Sequence, residues 1–402
     1  MNQGEDMLPQ VRLQPGKERP VHHRHPWIFS GAIQAVEEGA RDGDLVDVIA
    51  ADGQWLARGA LNRRSQIAVR LLTWRADEKI DRAFWRDRLQ RAIAARAELL
   101  QRADSDACRL VYSESDGLPG LVVDRYGDWL VAQFSTLAVE RARATVVELL
   151  AELLHPRGIY ERADPTARRR EGLPIAEGSI YGEEPPETVE ILEGGHRFLV
   201  DVRKGQKTGF YLDQSQNRRL VGVYSRGARV LNAFAYTGAF AVYALAGGAD
   251  HVVNIDTSYE ALQLAERTLA LNGYMEAKYS LIQGDVFAVL REYRAAGEQF
   301  DLVILDPPKF ATTQGQVAAA TRGYKDINLL GMQLLRPGGV LATFSCSGLV
   351  SPDLFQKIVW GAAIDAPRDV QVIARLTQGP DHPILLSFPE SEYLKGFLCR
   401  VW

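Results

Sequence analysis

The sequence predicts a C-terminal α/β domain preceded by a small α+β domain and a β-rich N-terminal domain. The chain has 402 residues, 46% of them hydrophobic, which is ample for more than one core. From Ala228 onward, strand and helix patterns alternate regularly, as in a parallel sheet with helices on both faces. Up to about residue 75, short apolar segments alternate instead with Gly and Asp turns. We therefore predict three domains, 1–75, 76–187 and 188–402.

Composition argues against several classes of protein. No apolar run approaches the roughly 20 residues that a membrane-spanning helix requires, so no membrane partner is expected. Residues 1–6 have neither the basic nor the apolar region of a signal peptide. The three cysteines form no C-x-x-C pair, so we expect a cytoplasmic protein with no disulfide framework and no metal site. The net charge of −4 does not favour nucleic-acid binding by the whole chain, and a homodimer is left open.

Basic side chains cluster twice in the N-terminal domain. Residues 11–26 carry an excess of basic side chains and three histidines, and residues 58–75 carry five arginines and no acid. These clusters suit a surface that contacts RNA phosphates, although solvated side chains balanced by nearby acids explain them equally well. The histidines lack the cysteine or carboxylate pattern of a zinc site. The candidate RNA-binding residues are Arg12, Arg24, Arg63 and Arg64.

The remaining elements follow from apolar periodicity and turn residues. Strands are predicted at 27–29, 45–49, 67–72, 109–112, 121–124, 129–134 and 159–162, and helices at 77–102 and 138–154. Arg168, Arg169 and Arg170 are predicted to lie in a solvated loop, with RNA contact as the alternative. A linker at 183–187 and a hairpin at 188–202 come next. Later strands are predicted at 229–232, 251–255, 279–282, 302–305 and 340–344, with a closing edge strand at 393–401, and later helices at 259–271 and near 326–335.

A carboxylate and two prolines follow the apolar strand at 302–305. Proline has no backbone N–H, so the sheet cannot continue, and a stiff loop should lie past the carboxyl end of the strand. In open α/β sheets, ligands bind at that edge. The next strand ends at Cys346 among serines and a glycine. If the two strands are neighbours, Asp306, Lys309 and Cys346 share one crevice.

A cofactor site is predicted at the same edge. The first strand-to-helix turn contains Tyr236 and Gly238 but no full G-x-G-x-x-G, so a pyrophosphate-binding site is poorly supported. Asp256 and Asp285 end the next two strands, where they could hold a ribose diol and an adenine amino group. Each acid alone is more often a helix N-cap. Together they favour a nucleoside without phosphates, of which S-adenosylmethionine is an example.

Cys346 is a candidate nucleophile. Buried cysteines usually behave as small hydrophobic residues, and Cys108 and Cys399 are interpreted that way. Cysteine is the best side-chain nucleophile near neutral pH, and a thiolate added at carbon 6 of a pyrimidine makes carbon 5 nucleophilic. Asp306 could then hold the edge of the base at ring nitrogen 3, and Lys309 could neutralise charge at its carbonyl.

Four runs carry a family resemblance: DPPKF (306–310), RGYKDIN (322–328), TFSCSG (343–348) and DHP (381–383). They resemble the ribosomal RNA large subunit methyltransferase I family, which makes 5-methylcytosine in 23S rRNA from S-adenosylmethionine. The resemblance covers nearly the whole chain and implies a Rossmann-like class I methyltransferase domain. It also implies a PUA domain that includes 24–32, and a cofactor-side loop at 205–214 that supplies Tyr211 and Asp213. By the same analogy Cys346 is the nucleophile, and Asp256, Asp285 and Asp306 line the cofactor site.

One position departs from other RNA cytosine-5 methyltransferases. Those often carry a second cysteine directly after the Asp306-type motif, and here the position is Pro308, so the base that removes the carbon 5 proton is unassigned. Two alternatives stay open: a uridine-5 methyltransferase, and an RNA-binding assembly factor without catalysis. Retention of Cys346 and Asp306 argues against the second. The sequence does not identify the target nucleotide, nor whether naked 23S rRNA or a large-subunit particle is the substrate.

Overall fold

The computed structural model describes residues 8–402, so the segment 1–6 considered for a signal peptide lies outside the described residues. The chain forms two compact units. The first contains the residues up to 189 together with 200–210 and 381–391, and the second contains 190–199, 211–380 and 392–402. The boundary predicted near residue 75 falls inside the first unit and stays a prediction.

A six-stranded sheet begins the first unit. Its strands are β1 Gln10–Leu13, β2 Trp27–Phe29, β3 Ile33–Val36, β4 Leu45–Ile49, β5 Trp55–Leu61 and β6 Ile67–Thr73, with a short helix α1 Arg19–His22. The strand order is β2-β6-β5-β4-β1-β3. Only the β1–β4 pair is parallel among the described strand pairs of this sheet. Alternating apolar side chains such as Val11, Val46 and Val48 form its core.

A five-stranded sheet of order β11-β10-β9-β8-β7 completes the first unit. Its strands are β7 Ala107–Tyr112, β8 Leu121–Tyr126, β9 Trp129–Phe134, β10 Gly158–Arg162 and β11 Glu177–Gly182. The helices are α2 Arg82–Ala94, α3 Ala97–Leu100, α4 Leu137–Arg141, α5 Arg143–Leu154 and α6 Pro165–Arg170. Each of the two predicted helices is therefore split into two shorter ones. The first break lies at Arg96, whose buried guanidinium pairs with Asp116.

The three consecutive arginines at 168–170 do not lie in the solvated loop that the sequence predicts. They belong to α6, whose first turn is capped by the Asp164 carboxylate, and they do not lie in a loop. Arg168 is only 1% exposed, and its guanidinium donates to the Phe134 carbonyl at 2.6 Å and to Glu140 at 2.9 Å. Arg168 therefore stabilises the fold, and both the solvated-loop prediction and its RNA-contact alternative are wrong for this residue.

A hairpin of β12 Val189–Glu193 and β13 His196–Val200, as predicted, lies in the second unit except for residues 189 and 200, and an α/β sheet follows it. The strands of that sheet are β14 Arg229–Ala233, β15 His251–Asp256, β16 Tyr279–Gln283, β17 Phe300–Leu305, β18 Leu335–Ser345, β19 Val370–Thr377 and β20 Lys395–Val401. Its helices are α7 Ser215–Val223, α8 Ala239–Ala246, α9 Tyr259–Leu271, α10 Val286–Ala296, α11 Val317–Gln333 and α12 Pro352–Asp365.

The strand order of this sheet is β16-β15-β14-β17-β18-β20-β19. The first five strands are parallel, and β20 runs antiparallel to both of its neighbours. The chain builds outward from β14 to β16, then returns to the other side of β14 with β17. Such a reversal of direction opens a crevice at the carboxyl ends of the two central strands, which is where ligands bind in α/β sheets.

The predicted closing edge strand is wrong in its position. The strand β20 lies inside the sheet between β18 and β19, and the edge is β19, which the sequence patterns did not reveal. Phe397, Leu398 and Cys399 of β20 are at most 3% exposed, as expected for a strand covered on both faces. Val372 and Ile373 of β19 are 48% and 40% exposed, which is typical of an edge.

Candidate active site

Cys346 lies beside the loop that follows β17. The strands β17 and β18 are parallel neighbours, with Leu305 opposite Thr343, so the condition for a shared crevice is confirmed. The Cys346 thiol donates to the Pro307 carbonyl, with 3.9 Å between sulfur and oxygen. Cys346 is partly exposed, whereas Cys108 and Cys399 are buried. Of the three thiols, the one at the carboxyl edge of the sheet is thus the accessible one.

The Asp306 carboxylate is held at the mouth of this crevice. Its Oδ2 accepts a hydrogen bond from Gln214 Nε2 at 3.0 Å. Gln214 is itself buried and fixed, because its side-chain oxygen accepts from Asn217 at 2.6 Å. Lys309 follows three residues after Asp306 and is exposed to solvent. A ligand in the crevice would therefore meet a carboxylate of fixed orientation and a lysine with freedom to move.

The loop at 205–214 brings Tyr211 to the same place. Its ring packs edge-on against Tyr236, with 5.5 Å between the ring centroids. Burial raises the pKa of Tyr211 well above that of a free phenol, and the neighbouring Asp306 and Cys346 raise it further. Tyr211 is therefore a neutral phenol at neutral pH, close to both groups. Two aromatic rings at right angles provide apolar surface for a flat ligand.

Asp213 has a structural task in this loop. It is 2% exposed, and its carboxylate accepts a short hydrogen bond from the Tyr393 hydroxyl. Its backbone carbonyl accepts from Gly379 N–H at 2.9 Å. These contacts hold Asp213 against the two ends of the segment that joins β19 to β20. The geometry thus favours a positioning role for Asp213, behind the residues that line the crevice.

The turn between β14 and α8 has an unusual backbone. Phe234, Tyr236 and Gly238 have φ angles of 62°, 48° and 73°, and bulky side chains rarely adopt such angles. Strain of this kind clusters at functional sites. Gly238 is required at its position because a Cβ there would lie 2.9 Å from the Cβ of Ala265 on α9. Glycine therefore lets α8 begin close to α9, and the turn faces the crevice.

Asp256 ties two adjacent turns together. One carboxylate oxygen accepts from Tyr236 N–H at 2.8 Å, and the other accepts from Ser258 N–H at 2.9 Å. Ser258 is the residue that caps α9, so Asp256 does not have the helix-cap role considered for it. Each carboxylate oxygen has two lone pairs, so both can still accept from a ligand hydroxyl. The arrangement suits a ribose diol.

Asp285 does serve as a helix N-cap. Its carboxylate accepts from Ala288 N–H at 2.9 Å at the start of α10. The side chain is exposed, and a second oxygen is available for an exocyclic amino group. With Asp256, Asp306 and the tyrosine pair, the residues fit S-adenosylmethionine, a nucleoside cofactor with no phosphate. The described residues of the turn between β14 and α8 contain no glycine-rich phosphate loop.

Three of the four candidate RNA-binding arginines have local partners for their side chains. Arg12 donates to the Ala51 carbonyl at 3.0 Å, Arg63 pairs with Asp42 at 2.9 Å, and the Arg24 guanidinium lies 5.4 Å from the Trp74 ring centre. Arg63 is still 51% exposed, and Arg64 is exposed as well.

Other arginines of the 58–75 cluster are neutralised. Arg58 pairs with Asp47 at 2.8 Å, and Arg70 pairs with Glu114 at 3.0 Å and with Glu171 at 2.9 Å. The acids that the local sequence lacks are thus supplied from elsewhere in the unit.

Two residues near Cys346 were not among the sequence candidates. Lys395, in β20, is 6% exposed and donates to the carbonyls of Ser347 and Val350. Tyr324, in α11, is fully buried, and its hydroxyl lies 3.1 Å from Ser347 Oγ. Lys395 could have been found from the sequence, because it is a lysine within a mostly apolar strand pattern.

Comparison with known proteins agrees with this arrangement. A family model described as S-adenosylmethionine-dependent methyltransferase matches residues 171–397, and one described as PUA-like domain matches 11–74. A curated protein of Klebsiella pneumoniae (strain 342), named ribosomal RNA large subunit methyltransferase I, is 48% identical over 397 residues, 99% of each chain. The chain belongs to the ribosomal RNA large subunit methyltransferase I family. Another member, from Serratia proteamaculans, is 48% identical over 98% of this chain and 100% of its own.

Solved structures of other proteins have the same fold as this protein. A proposed S-adenosylmethionine-dependent methyltransferase from Streptococcus mutans superposes with a TM-score of 0.84 and 21% identity, covering 97% of this chain and 99% of its own. The structure of SMU.776, described as a proposed methyltransferase complexed with SAH, has a TM-score of 0.85 and 22% identity over the same shares of the two chains. The predicted fold class, the PUA-like domain and dependence on S-adenosylmethionine are confirmed.

Residues 8–402 contain neither a candidate membrane span nor a candidate metal site. No described helix is both long and apolar enough to span a bilayer. Among the same residues, no three His, Cys, Asp or Glu side chains are grouped so that they could hold a metal ion. The three histidines at 22–25 belong to no such group; His25 instead lies 3.4 Å from the Glu390 carboxylate.

Proposed function

We propose that this protein methylates carbon 5 of a cytosine in 23S ribosomal RNA through a covalent bond between Cys346 and carbon 6. The observation that carries the proposal is the position of the accessible thiol, 3.9 Å from the Pro307 carbonyl of the loop that contains Asp306. The names of the relatives that are 48% identical support ribosomal RNA as the substrate. Naked 23S rRNA and the large-subunit particle are both compatible with it.

The cofactor would be held by the acids and aromatic side chains of the crevice. Asp256 would accept from the ribose hydroxyls, Asp285 from the adenine amino group, and Tyr211 and Tyr236 would contact its apolar surface. When bound, S-adenosylmethionine supplies an electrophilic methyl group on a sulfonium sulfur. Gly238 and Asp213 support this site indirectly, because one permits the close turn and the other holds the loop of Tyr211.

The chain's own residues act on the pyrimidine. The Cys346 thiolate adds to carbon 6, which gives carbon 5 the electron density needed for methylation. As negative charge develops on the ring, ring nitrogen 3 takes a proton from solvent and donates a hydrogen bond to the Asp306 carboxylate, while Lys309 neutralises charge at the carbonyl oxygen. Loss of the carbon 5 proton to a base then re-forms the ring double bond and expels the Cys346 thiolate. Pro308 occupies the place of the second cysteine found in related enzymes, so another group takes that proton.

The basic residues of the first unit would contact the RNA. Arg12, Arg24, Arg63 and Arg64 are the proposed phosphate contacts, and the half-exposed Arg63 and the exposed Arg64 are the best placed. The catalytic and cofactor residues all lie in the second unit of one chain, so the proposed chemistry does not need the homodimer. A ribosomal substrate and a reduced thiol both favour a cytoplasmic location.

Nucleoside analysis tests the proposal. The purified protein is incubated with 23S rRNA or large-subunit particles and labelled S-adenosylmethionine, and the digested RNA is separated into nucleosides. We expect label in 5-methylcytosine with the wild type and with Cys108→Ala, a control in the buried strand β7, and none with Cys346→Ala. Label in 5-methyluridine would establish the uridine alternative. Cofactor binding without any label would favour an assembly factor.

A further inference from the structure

Lys395 is a buried cation that makes no salt bridge within residues 8–402. Its residue is 6% exposed, and no Asp or Glu oxygen of residues 8–402 lies within ion-pair distance of its ammonium. Its hydrogen bonds go to two backbone carbonyls, Ser347 O at 2.6 Å and Val350 O at 2.7 Å. A buried ammonium is costly unless it is paired, so lysines in such positions usually meet an anion. The carbonyls alone compensate the charge only in part.

Both carbonyls belong to the turn that carries Cys346, residues 346–350. Lys395 lies opposite Ser345 in the β18–β20 pair, so its side chain reaches this turn from the adjacent strand. On the other side, the Tyr324 hydroxyl is 3.1 Å from Ser347 Oγ. The turn is thus held by a lysine from β20 and a tyrosine from α11, and Cys346 is its first residue.

We propose that Lys395 is a positioning residue for the methyl transfer: its ammonium fixes the turn at 346–350 and supplies the positive charge that favours the Cys346 thiolate. This inference rests on the proposed role of Cys346 as the nucleophile. The thiolate is the anion that the buried ammonium otherwise lacks. When the thiolate attacks carbon 6, the ammonium keeps its two carbonyl partners, so the turn does not rearrange during the reaction.

The electrostatics of the neighbouring groups agree with this role. Burial lowers the pKa of Lys395 to about 8, Cys346 and Glu392 oppose that effect, and Lys309 adds to it. Lys395 is thus mostly charged at pH 7. Burial raises the pKa of Tyr211 and of Tyr324, so both phenols near Cys346 stay neutral. The charge of Lys395 interacts with that of Cys346, so the ammonium favours the thiolate.

Alkylation of the full-length protein measures the thiolate without RNA or cofactor. The rate at which iodoacetamide modifies Cys346 is followed across neutral and alkaline pH by mass spectrometry of its peptide. Cys108 and Cys399 stay unmodified and serve as internal controls, because burial raises the pKa of each thiol to about 12. The variants are Lys395→Met, Lys395→Arg, and Lys357→Met as a control that removes an exposed charge from α12.

We expect a wild-type midpoint below the value of about 8.5 for a free cysteine. In Lys395→Met the alkylation midpoint should rise by roughly one pH unit, because a nearby opposite charge is lost. Alkylation of Cys346 at pH 7 should then be about tenfold slower. Lys395→Arg and Lys357→Met should remain close to wild type. In methylation assays, Lys395→Met should lower kcat with little change in the KM for RNA and move the pH optimum upward.

Two results would overturn the inference. The first is an equal midpoint in wild type and Lys395→Met, which would leave Lys395 a purely structural residue. The second is a wild-type midpoint at or above that of a free cysteine, which would show that the Cys346 thiolate is not favoured. This result counts against the inference even if circular dichroism shows that Lys395→Met does not fold. An active Cys346→Ala would contradict the proposed function instead, while the alkylation midpoints still report on Lys395.

Discussion

Buried cations are neutralised differently around the five-stranded sheet of the first unit and at the carboxyl edge of the sheet in the second unit. In the first unit, Arg96 pairs with Asp116 at 2.7 Å and Arg109 pairs with Asp124 at 2.7 Å. At the edge of the second unit, Lys395 is bonded to carbonyls only. Guanidinium–carboxylate pairs are geometrically specific and self-contained, so the first arrangement is complete without a ligand. The second leaves a positive charge available for a thiolate.

Carboxylates show the same contrast. Asp124 is fully buried, and its oxygens are engaged by Arg109 and by the Thr208 hydroxyl. Asp256 is partly exposed and accepts one backbone N–H on each oxygen, which leaves acceptor capacity toward the crevice. Charge in the first unit therefore stabilises the fold, whereas charge at the edge of the second is oriented and still able to bind.

The largest effect on stability is expected for Asp124→Ala. Removing this carboxylate takes away both hydrogen bonds that the buried Arg109 guanidinium donates to Asp124, which should lower the free energy of unfolding by about 3–5 kcal/mol. Chemical denaturation measures the loss. The matched control is Asp104→Ala, which breaks an Arg–Asp pair that is 38% and 41% exposed and should change stability far less. Equal effects would show that the buried pair has no special weight.

A smaller effect, on binding, is expected for Asp256→Ala. Loss of a charged acceptor for the ribose should cost about 1.5–3 kcal/mol, which is roughly a ten- to hundredfold weaker affinity for S-adenosylmethionine by calorimetry. Asp301→Ala is the control. Asp301 also accepts a backbone N–H, from Arg229 at 2.8 Å, but it lies at the amino end of β17. If neither Asp256→Ala nor Asp285→Ala weakens binding, the cofactor lies elsewhere.

The smallest effect is expected from the exposed arginines. Replacing Arg63 and Arg64 by alanine should reduce the salt dependence of RNA binding by about one slope unit for each lost phosphate contact. Arg58→Ala is the comparison, because Arg58 is already neutralised by Asp47 and should leave the slope unchanged. A slope that is identical in all three proteins would mean that the arginines of the first unit serve only the fold.

Local patterns were sufficient to predict most elements of the second unit. The helix α9 has the predicted bounds, 259–271, because its apolar side chains recur at helical spacing between Ser258 and Asn272. The parallel strands were equally readable as apolar runs. The position of each strand within the sheet could not be predicted from these runs, because β20 becomes internal only when β19 pairs with its outer edge. That choice depends on contacts far apart in the sequence.

The candidate site was predictable where chemistry and strand ends coincide. Cys346 and the Asp306 loop were found because each directly follows an apolar strand, and the structure brings them together. The burial of individual charged side chains could not be predicted from the sequence. Arg168 looked exposed in a run of arginines, and Lys395 looked like part of an edge strand, yet both are enclosed by elements distant in the chain.

Trapping with RNA that carries 5-fluorocytosine tests the central claim most directly. Fluorine at carbon 5 cannot leave as a proton does, so the bond between Cys346 and carbon 6 should persist after methylation. Wild type should give a denaturation-resistant protein–RNA adduct whose linked peptide contains Cys346, and Cys346→Ala should give none while it still binds S-adenosylmethionine. An adduct with Cys346→Ala, or an adduct mapped to another residue, would contradict the account.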